Sequence, residues 1–379
     1  MKTKVKSMVE EFKVTPWEVS GRVDYDRLVE KFGTKKIDAD LLEKIRKRTK
    51  KLHPFLTRNI FFSHRDLDVV LKNYEEGRKF FLYTGRGPSG GMHIGHLIPF
   101  MFTRWLQEQY KCELYIQITD DEKFLVKDLT LEQTRNMAYD NIADIAALGF
   151  DRGKTHIFLN TEYAKTLYRI AIKVGRHLTM STNKAIFGFT DSSNVGISFF
   201  PAMQIAPCFL PQETGGKNEQ CLIPAAIDQD DYWRPARDVA PKLGYMKPAQ
   251  IHSKFFPSLL GIDAKMSSSD PRSSVFLTDS PEDVEKKINR YAFSGGRDTL
   301  EEQRRLGADL EKDVPYQWLT FLEEDDRKLK KIGEDYSSGK MLTGEIKQIL
   351  AEKVCTFLKS HQKARRKAES RIEKFMLRD

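Results

Sequence analysis

Residues 79–110, KFFLYTGRGPSGGMHIGHLIPFMFTRWLQEQY, limit what this chain can fold into more than any other stretch. Residues 79–84 are aromatic and apolar, the composition of a buried strand. Residues 85–91 hold four glycines, a proline and a serine, so the chain turns sharply there and leaves backbone N–H groups bare. From His93 onward Ile94, Leu97, Ile98, Met101, Phe102 and Trp105 recur at helical spacing, which predicts an amphipathic helix. A strand, a Gly-rich loop and a helix start make a phosphate site, because unpaired N–H groups and the helix dipole both face the loop. His93 and His96 fall in the first helical turn, on one face and beside the loop. Imidazoles there can donate hydrogen bonds to phosphate oxygens as charge builds on them. Taken singly, two histidines at a helix start read as surface residues.

The remaining chain repeats the strand-and-helix alternation. Further strands are predicted at 113–120, 155–160, 221–228 and 250–255. Helices are predicted at 25–32, 38–50 (capped by Asp38), 61–74, 130–148 (capping box Thr130 and Gln133), 162–178 and 230–243. The segment VTPWEV at 14–19 reads as a short edge strand. Strands alternating with helices predict βαβ units, an α/β fold with a Rossmann-type parallel sheet, and a ligand at the strands' carboxyl ends. Residues 181–216 break the pattern and are too aromatic for a solvated linker. From residue 280 the sequence reads as all helix, at 297–306, 315–331 and 342–376 after a start capped by Ser280 and Pro281. The division expected is an N-terminal extension at 1–75, a catalytic domain at 76–279 with an insertion at about 160–216, and a helical domain at 280–379.

A net charge of +9 favours an acidic partner, nucleic acid first, though a basic enzyme without a polyanion fits as well. Cys112, Cys208, Cys221 and Cys355 form no C-x-x-C pair, so neither a zinc nor a redox site is indicated and a reducing, cytoplasmic setting is expected. The start lacks a secretory apolar core, and no apolar run is long enough to span a membrane.

His93-Ile94-Gly95-His96 has a downstream counterpart in Lys265, Met266, Ser267, Ser268 and Ser269, flanked by Gly261 and by Asp270 and Pro271. The pair resembles the two signatures of class I aminoacyl-tRNA synthetases. With YTGRGPSG, IQITDDEK, IFGFTDS, FPAMQIAP, IPAAIDQD, AFSGGRDT and YSSGKMLTGE, residues 14–376 resemble the tryptophanyl-tRNA synthetases of eukaryotic cytosolic and archaeal type. Two departures stand out. Animal members carry one more residue between Pro88 and His93, and they bear an N-terminal helical domain with no counterpart here. Ser268 also stands where the class consensus has a second lysine, so one phosphate contact is expected to be missing.

The resemblance implies ligation of L-tryptophan to its tRNA through an aminoacyl-adenylate, with ATP and its Mg2+, in a homodimer built on the insertion. It gives His93, His96 and Lys265 to catalysis. It places ATP at Thr84, Arg86, Ser89, Gly95, Lys123, Asp228 and Lys265, Met266, Ser267, Ser268 and Ser269 besides the two histidines. It places tryptophan at Tyr83, Gly85, Gln117, Glu122, Gln204 and Gln229, with Tyr83 and Gln229 at the indole N–H. Plainer readings stand beside these: satisfied core amides for Gln204 and Gln229, a helix cap for Asp120, Asp121 and Glu122. Arg297 and Asp298 are the anticodon candidates, or an internal ion pair. The basic stretches at 44–51 and 361–371 are tRNA backbone contacts or solvated faces. Three rivals remain open here: a tyrosyl enzyme on the same scaffold, a small-molecule adenylyltransferase with the same histidine loop, and an inactive tRNA-binding relative.

Overall fold

The computed structural model describes residues 13–14, 19–20, 23–267 and 270–379. Its strands in chain order are β1 (Lys13–Val14), β2 (Val19–Ser20), β3 (Lys35–Lys36), β4 (Phe61–Arg65), β5 (Phe80–Arg86), β6 (Leu114–Ile118), β7 (Thr155–Leu159), β8 (Gln220–Ala226), β9 (Ala249–Ser253), β10 (Pro257–Ser258) and β11 (Gly261–Lys265). Strands β3 to β9 form one sheet in the order β3-β4-β9-β8-β5-β6-β7. The five strands from β9 to β7 run parallel, while β4 pairs antiparallel with β9 and β3 with β4. Counted along the chain, the parallel set follows the Rossmann order, and its reversal falls between β5 and β8. The crevice at that reversal lies where the Gly-rich loop leaves β5.

Helices cover both faces of the sheet, which is why the central strands are continuous apolar runs. Leu82, Ile116, Ile157, Leu222 and Ile251 enter the core on one face. Their neighbours Phe81, Tyr83, Phe158 and Ile223 pack the other face against the helices Ala164–Gly175, Val195–Ile205 and Asp230–Val239. The first core runs without interruption into the C-terminal helices through Trp318, Ile346, Leu350, Val354 and Leu358.

Four predicted elements come out differently. Residues 61–74 are not one helix: Phe61–Arg65 is β4, and the helix Leu67–Glu75 follows after Asp66 reverses the chain at φ 55°. Phe61 and Phe62 are buried by sheet packing, a signal that short apolar runs share with helices. Residues 315–331 split into the helices Val314–Leu322 and Asp326–Ser337, the second capped by Asp325. The edge strand expected at 14–19 is a pair, β1 against β2, and residues 15–18 lie outside the described residues. The final helix, Thr343–Glu369, stops before Met376. The tail beyond it lies along β7: Ile157 donates to the Phe375 carbonyl at 2.7 Å and Leu377 donates back to Ile157 at 2.7 Å. That pairing covers a sheet edge that would otherwise be open.

Candidate active site

A cavity of about 730 Å3 opens at the carboxyl ends of β5, β6 and β8. Of the residues predicted to act, Gly85, Arg86, His96, Glu122, Lys123, Gln204 and Gln229 line it. Four separate segments supply them: the Gly-rich loop with the helix start after it, the helix start after β6, the helix Val195–Ile205 and the turn after β8.

His93 is the N-cap of the helix Ile94–Tyr110, not a residue of its first turn, and the two imidazoles stack with centroids 3.4 Å apart. The His93 N–H donates to His96 Nδ1 at 3.2 Å. With Nδ1 accepting, a neutral His96 carries its ring hydrogen on Nε2. Two long-range pairings fix this helix start. Ile94 donates to the Val275 carbonyl at 3.1 Å, and Leu277 to the Met92 carbonyl at 2.8 Å. The first motif is thus tied to the chain just beyond the second. Met266 is buried against Gly95, its sulfur 3.0 Å from where a β-carbon would be. Ser267 is held from behind: its N–H donates to Ser273 Oγ at 3.2 Å, and its carbonyl accepts from Ser273 at 3.1 Å and Ser274 at 3.2 Å. The backbone of Lys265 ends β11; its side chain, with Ser268 and Ser269, lies outside the described residues.

Two glycines of the Gly-rich segment stand close to their neighbours, Gly85 to backbone and Gly87 to side-chain ends. A β-carbon on Gly85 would stand 2.8 Å from the Gln117 carbonyl oxygen. One on Gly87 would stand 2.7 Å from Lys123 Cε and 2.8 Å from Glu122 Oε2. The loop therefore packs directly on the acidic helix start Asp120–Val126. Arg86 donates through Nε to Asn141 Oδ1 at 2.9 Å and through Nη2 to Ser89 Oγ at 2.5 Å. Burial lowers its pKa to about 10, which leaves it cationic at neutral pH.

The amino-acid side of the cavity rests on a buried polar chain. Tyr83 Oη donates to Gln117 Oε1 at 2.5 Å and also lies 2.9 Å from the Gln204 carbonyl. Gln117 Nε2 donates to Asn160 Oδ1 at 2.8 Å and to the Met203 carbonyl at 3.2 Å. Asn160 donates to Asp121 Oδ1 at 2.8 Å. Tyr83 and Gln117 are both fully buried, so here they build the wall rather than line the cavity. Thr84 is likewise buried and bonds the Pro224 carbonyl at 3.3 Å, joining β5 to β8. Gln204 differs: the residue lines the cavity, and its buried Oε1 has no hydrogen-bond partner among the described residues. Glu122 Oε2 accepts from Thr119 at 2.8 Å. Asp228 is buried beside Gln229. Burial, then the neighbouring Asp120, pushes the Asp121 carboxyl up to about 7.

Sequence reasoning missed Asn141, Asn160 and the aromatic wall of Phe187, Phe189, Phe200 and Tyr232. The two phenylalanines of IFGFTDS were visible in the sequence; the two asparagines read as ordinary polar helix and strand-end residues. Arg297 and Asp298 lie away from this cavity. Arg297 donates to the Gly307 carbonyl at 3.0 Å, and no ion pair joins it to Asp298 among the described residues.

The family model for class I tRNA synthetases (W and Y) matches residues 75–359. The chain belongs to that family. It is 55% identical over 370 residues to the tryptophan–tRNA ligase of Saccharolobus solfataricus, covering 97% of this chain and 96% of that one. It is 57% identical over 371 residues to that of Pyrococcus abyssi, covering 97% and 94%. Among solved structures it is similar to the tryptophanyl-tRNA synthetase of Giardia lamblia, with TM-score 0.88, 41% identity and coverage of 94% and 96%. It is also similar to the Encephalitozoon cuniculi enzyme bound to tryptophan, with TM-score 0.87, 39% identity and coverage of 95% and 99%.

Proposed function

We infer that the protein is a tryptophan–tRNA ligase. It joins L-tryptophan to its tRNA in two steps, using ATP and releasing pyrophosphate and AMP. The observation that carries this reading is the meeting of the two signature segments, Met266 on Gly95, next to His96, which lines one cavity together with Glu122 and Gln204. In the first step a tryptophan carboxylate oxygen bonds to the α-phosphorus of ATP and the bond to the pyrophosphate oxygen breaks. The carboxylate is already an anion, so no general base is required, and catalysis is positioning plus charge stabilisation. In our reading His93, His96, Arg86, Ser89, Lys123 and the 265–269 loop serve the phosphates, and Asp228 serves the ribose. Glu122 and the unpaired Gln204 Oε1 take the substrate ammonium. Gln229 and the aromatic wall take the indole, with Tyr83 and Gln117 shaping the pocket from behind. In the second step a terminal ribose hydroxyl of the tRNA attacks the acyl carbonyl and AMP leaves.

Mg2+ would enter on the ATP phosphates. Such an ion is carried mainly by phosphate oxygens and water. We place the anticodon at Arg297 and Asp298 in the helical region from residue 280. Part of the basic stretch at 361–371 is spent internally, since His361 and Arg365 both bond Asp144. The expected homodimer has a suitable surface: Tyr168, Ile172, Met180 and Val195 are exposed apolar side chains on the helices at 164–205. No helix among the described residues is long and apolar enough to cross a membrane, and we propose a cytoplasmic setting.

The test is aminoacylation of a tRNA(Trp) transcript with labelled tryptophan. Acid-stable incorporation that depends on ATP supports the reading; none, with folded protein and intact tRNA, overturns it.

A further inference from the structure

We propose that Asn141 is a positioning residue for ATP, holding Arg86 and the 89–90 backbone in the arrangement that meets the nucleotide's phosphates. The proposal rests on the reading of the Gly-rich loop as part of the ATP site.

The loop at 87–91 cannot hold its own shape. It belongs to no helix or strand, and among the described residues no backbone–backbone hydrogen bond involves it. Besides Arg86 on Ser89 Oγ, and Ser89 Oγ on the Gly90 carbonyl at 3.4 Å, what holds it is one side chain from outside the loop. Asn141 sits on the helix Leu131–Ala146, fully buried. Its Oδ1 accepts from Arg86 Nε at 2.9 Å and from the Ser89 N–H at 3.2 Å. Its Nδ2 donates to the carbonyls of Ser89 at 3.1 Å and Gly90 at 3.4 Å. A carboxamide has two such acceptor and two such donor directions, and all four go to residues 86–90. A core amide that merely satisfied itself would have no reason to spend every bond on one loop beside the cavity.

The arrangement also aims the arginine. With Nε on Asn141 and Nη2 on Ser89, Arg86 is pinned along one edge, and its Nη1 has no hydrogen-bond partner among the described residues. Arg86 lines the cavity. A guanidinium fixed in this way loses little further freedom on meeting a phosphate oxygen. The helix bearing Asn141 is itself anchored. Asp144, one turn on, accepts from His361 Nε2 at 3.0 Å and lies 3.2 Å from Arg365 Nε, both on the helix Thr343–Glu369.

The experiment is tryptophan-dependent ATP–pyrophosphate exchange with varied ATP, on the full chain, for Asn141→Ala, Arg86→Ala and the double variant. Asn141→Ala is expected to raise the KM for ATP about tenfold while the KM for tryptophan moves less than about twofold. Because Asn141, Arg86 and Ser89 are bonded as one unit, with Arg86 the group that meets the phosphate, the double variant should fall within about twofold of Arg86→Ala alone. Asn141→Asp is nearly isosteric but sets an oxygen against the Ser89 and Gly90 carbonyls. It should raise the KM for ATP in the same sense, and it carries the test if the alanine variant fails to fold. A folded Asn141 variant with unchanged KM for ATP, or losses that multiply in the double variant, would overturn the proposal. If Arg86→Ala itself leaves the KM for ATP unchanged, it is the reading of the loop as an ATP site that falls, and the proposal with it.

Discussion

The Met266 sulfur lies 3.0 Å from the point where Gly95 would carry a β-carbon, so the two signature segments, about 170 residues apart, touch side chain to backbone. The contact brings the second signature segment onto the helix start that bears His93 and His96. It makes Gly95 a matter of space. Its neighbour is the far end of a flexible side chain, so Gly95→Ala should fold while pushing Met266 and the His93 ring away. Exchange of pyrophosphate into ATP should slow by about tenfold or more, with a small change in melting temperature. Unchanged exchange would mean that the contact has no part in the reaction.

Gly85 presents the opposite case. A β-carbon there meets the backbone oxygen of Gln117 at 2.8 Å, and a strand backbone cannot step aside. Gly85→Ala should destabilise the fold by about 2 kcal/mol, as overpacked core substitutions do. Urea denaturation followed by circular dichroism measures it, and a shift near zero would show that β5 and β6 can separate locally.

His96→Ala and Glu122→Ala should separate the two halves of the cavity. The imidazole acts on charge developing during phosphoryl displacement, so its loss should slow adenylate formation about a hundredfold with tryptophan affinity nearly intact. The carboxylate acts on the bound amino acid, so its loss should weaken tryptophan binding by tenfold or so. Single-turnover kinetics with tryptophan titration reads both. The reverse pattern would exchange the two roles.

Asp230 follows Gln229 directly and is fully buried, bonded to Arg65 at 2.6 and 2.8 Å. Burial pushes its pKa up, but Arg65 and His252 together outweigh that and hold it down at about 2, against an ordinary 3.8. A depressed folded pKa stabilises the native state above the unfolded value and loses that stabilisation as pH falls through the folded one. Stability should therefore drop by about 2 kcal/mol between pH 4 and pH 2 through this group. Asp230→Asn should flatten that acid limb in melts taken across the range, and an unchanged limb would remove Asp230 from it.

The parallel sheet was legible because strands buried on both faces are mostly apolar, as β5 to β8 are, each with a polar residue or two, while β9 is the mixed AQIHS. β4 was not, because Phe61 and Phe62 are followed by polar residues whose partners lie across the sheet: Ser63 bonds His252 at 3.0 Å. Seven of the seventeen residues that line the cavity were named from the family motifs, and only His96 of them lies in a signature segment. The residues that hold the liners were not. Asn141 and Asn160 act through hydrogen bonds to loops far away in sequence, and nothing in their own neighbourhood distinguishes them from solvent-facing amides. The tail at 375–376 was read as helix because pairing with Ile157 is fixed only once the long helix has delivered it to the edge of β7.

The most direct measurement is ATP–pyrophosphate exchange with each of the twenty amino acids in turn. Exchange with tryptophan alone is the predicted result, because Glu122, Gln204, Gln229 and the aromatic wall then act together on one substrate. Exchange with tyrosine, or with no amino acid in folded protein supplied with Mg2+, would contradict the account.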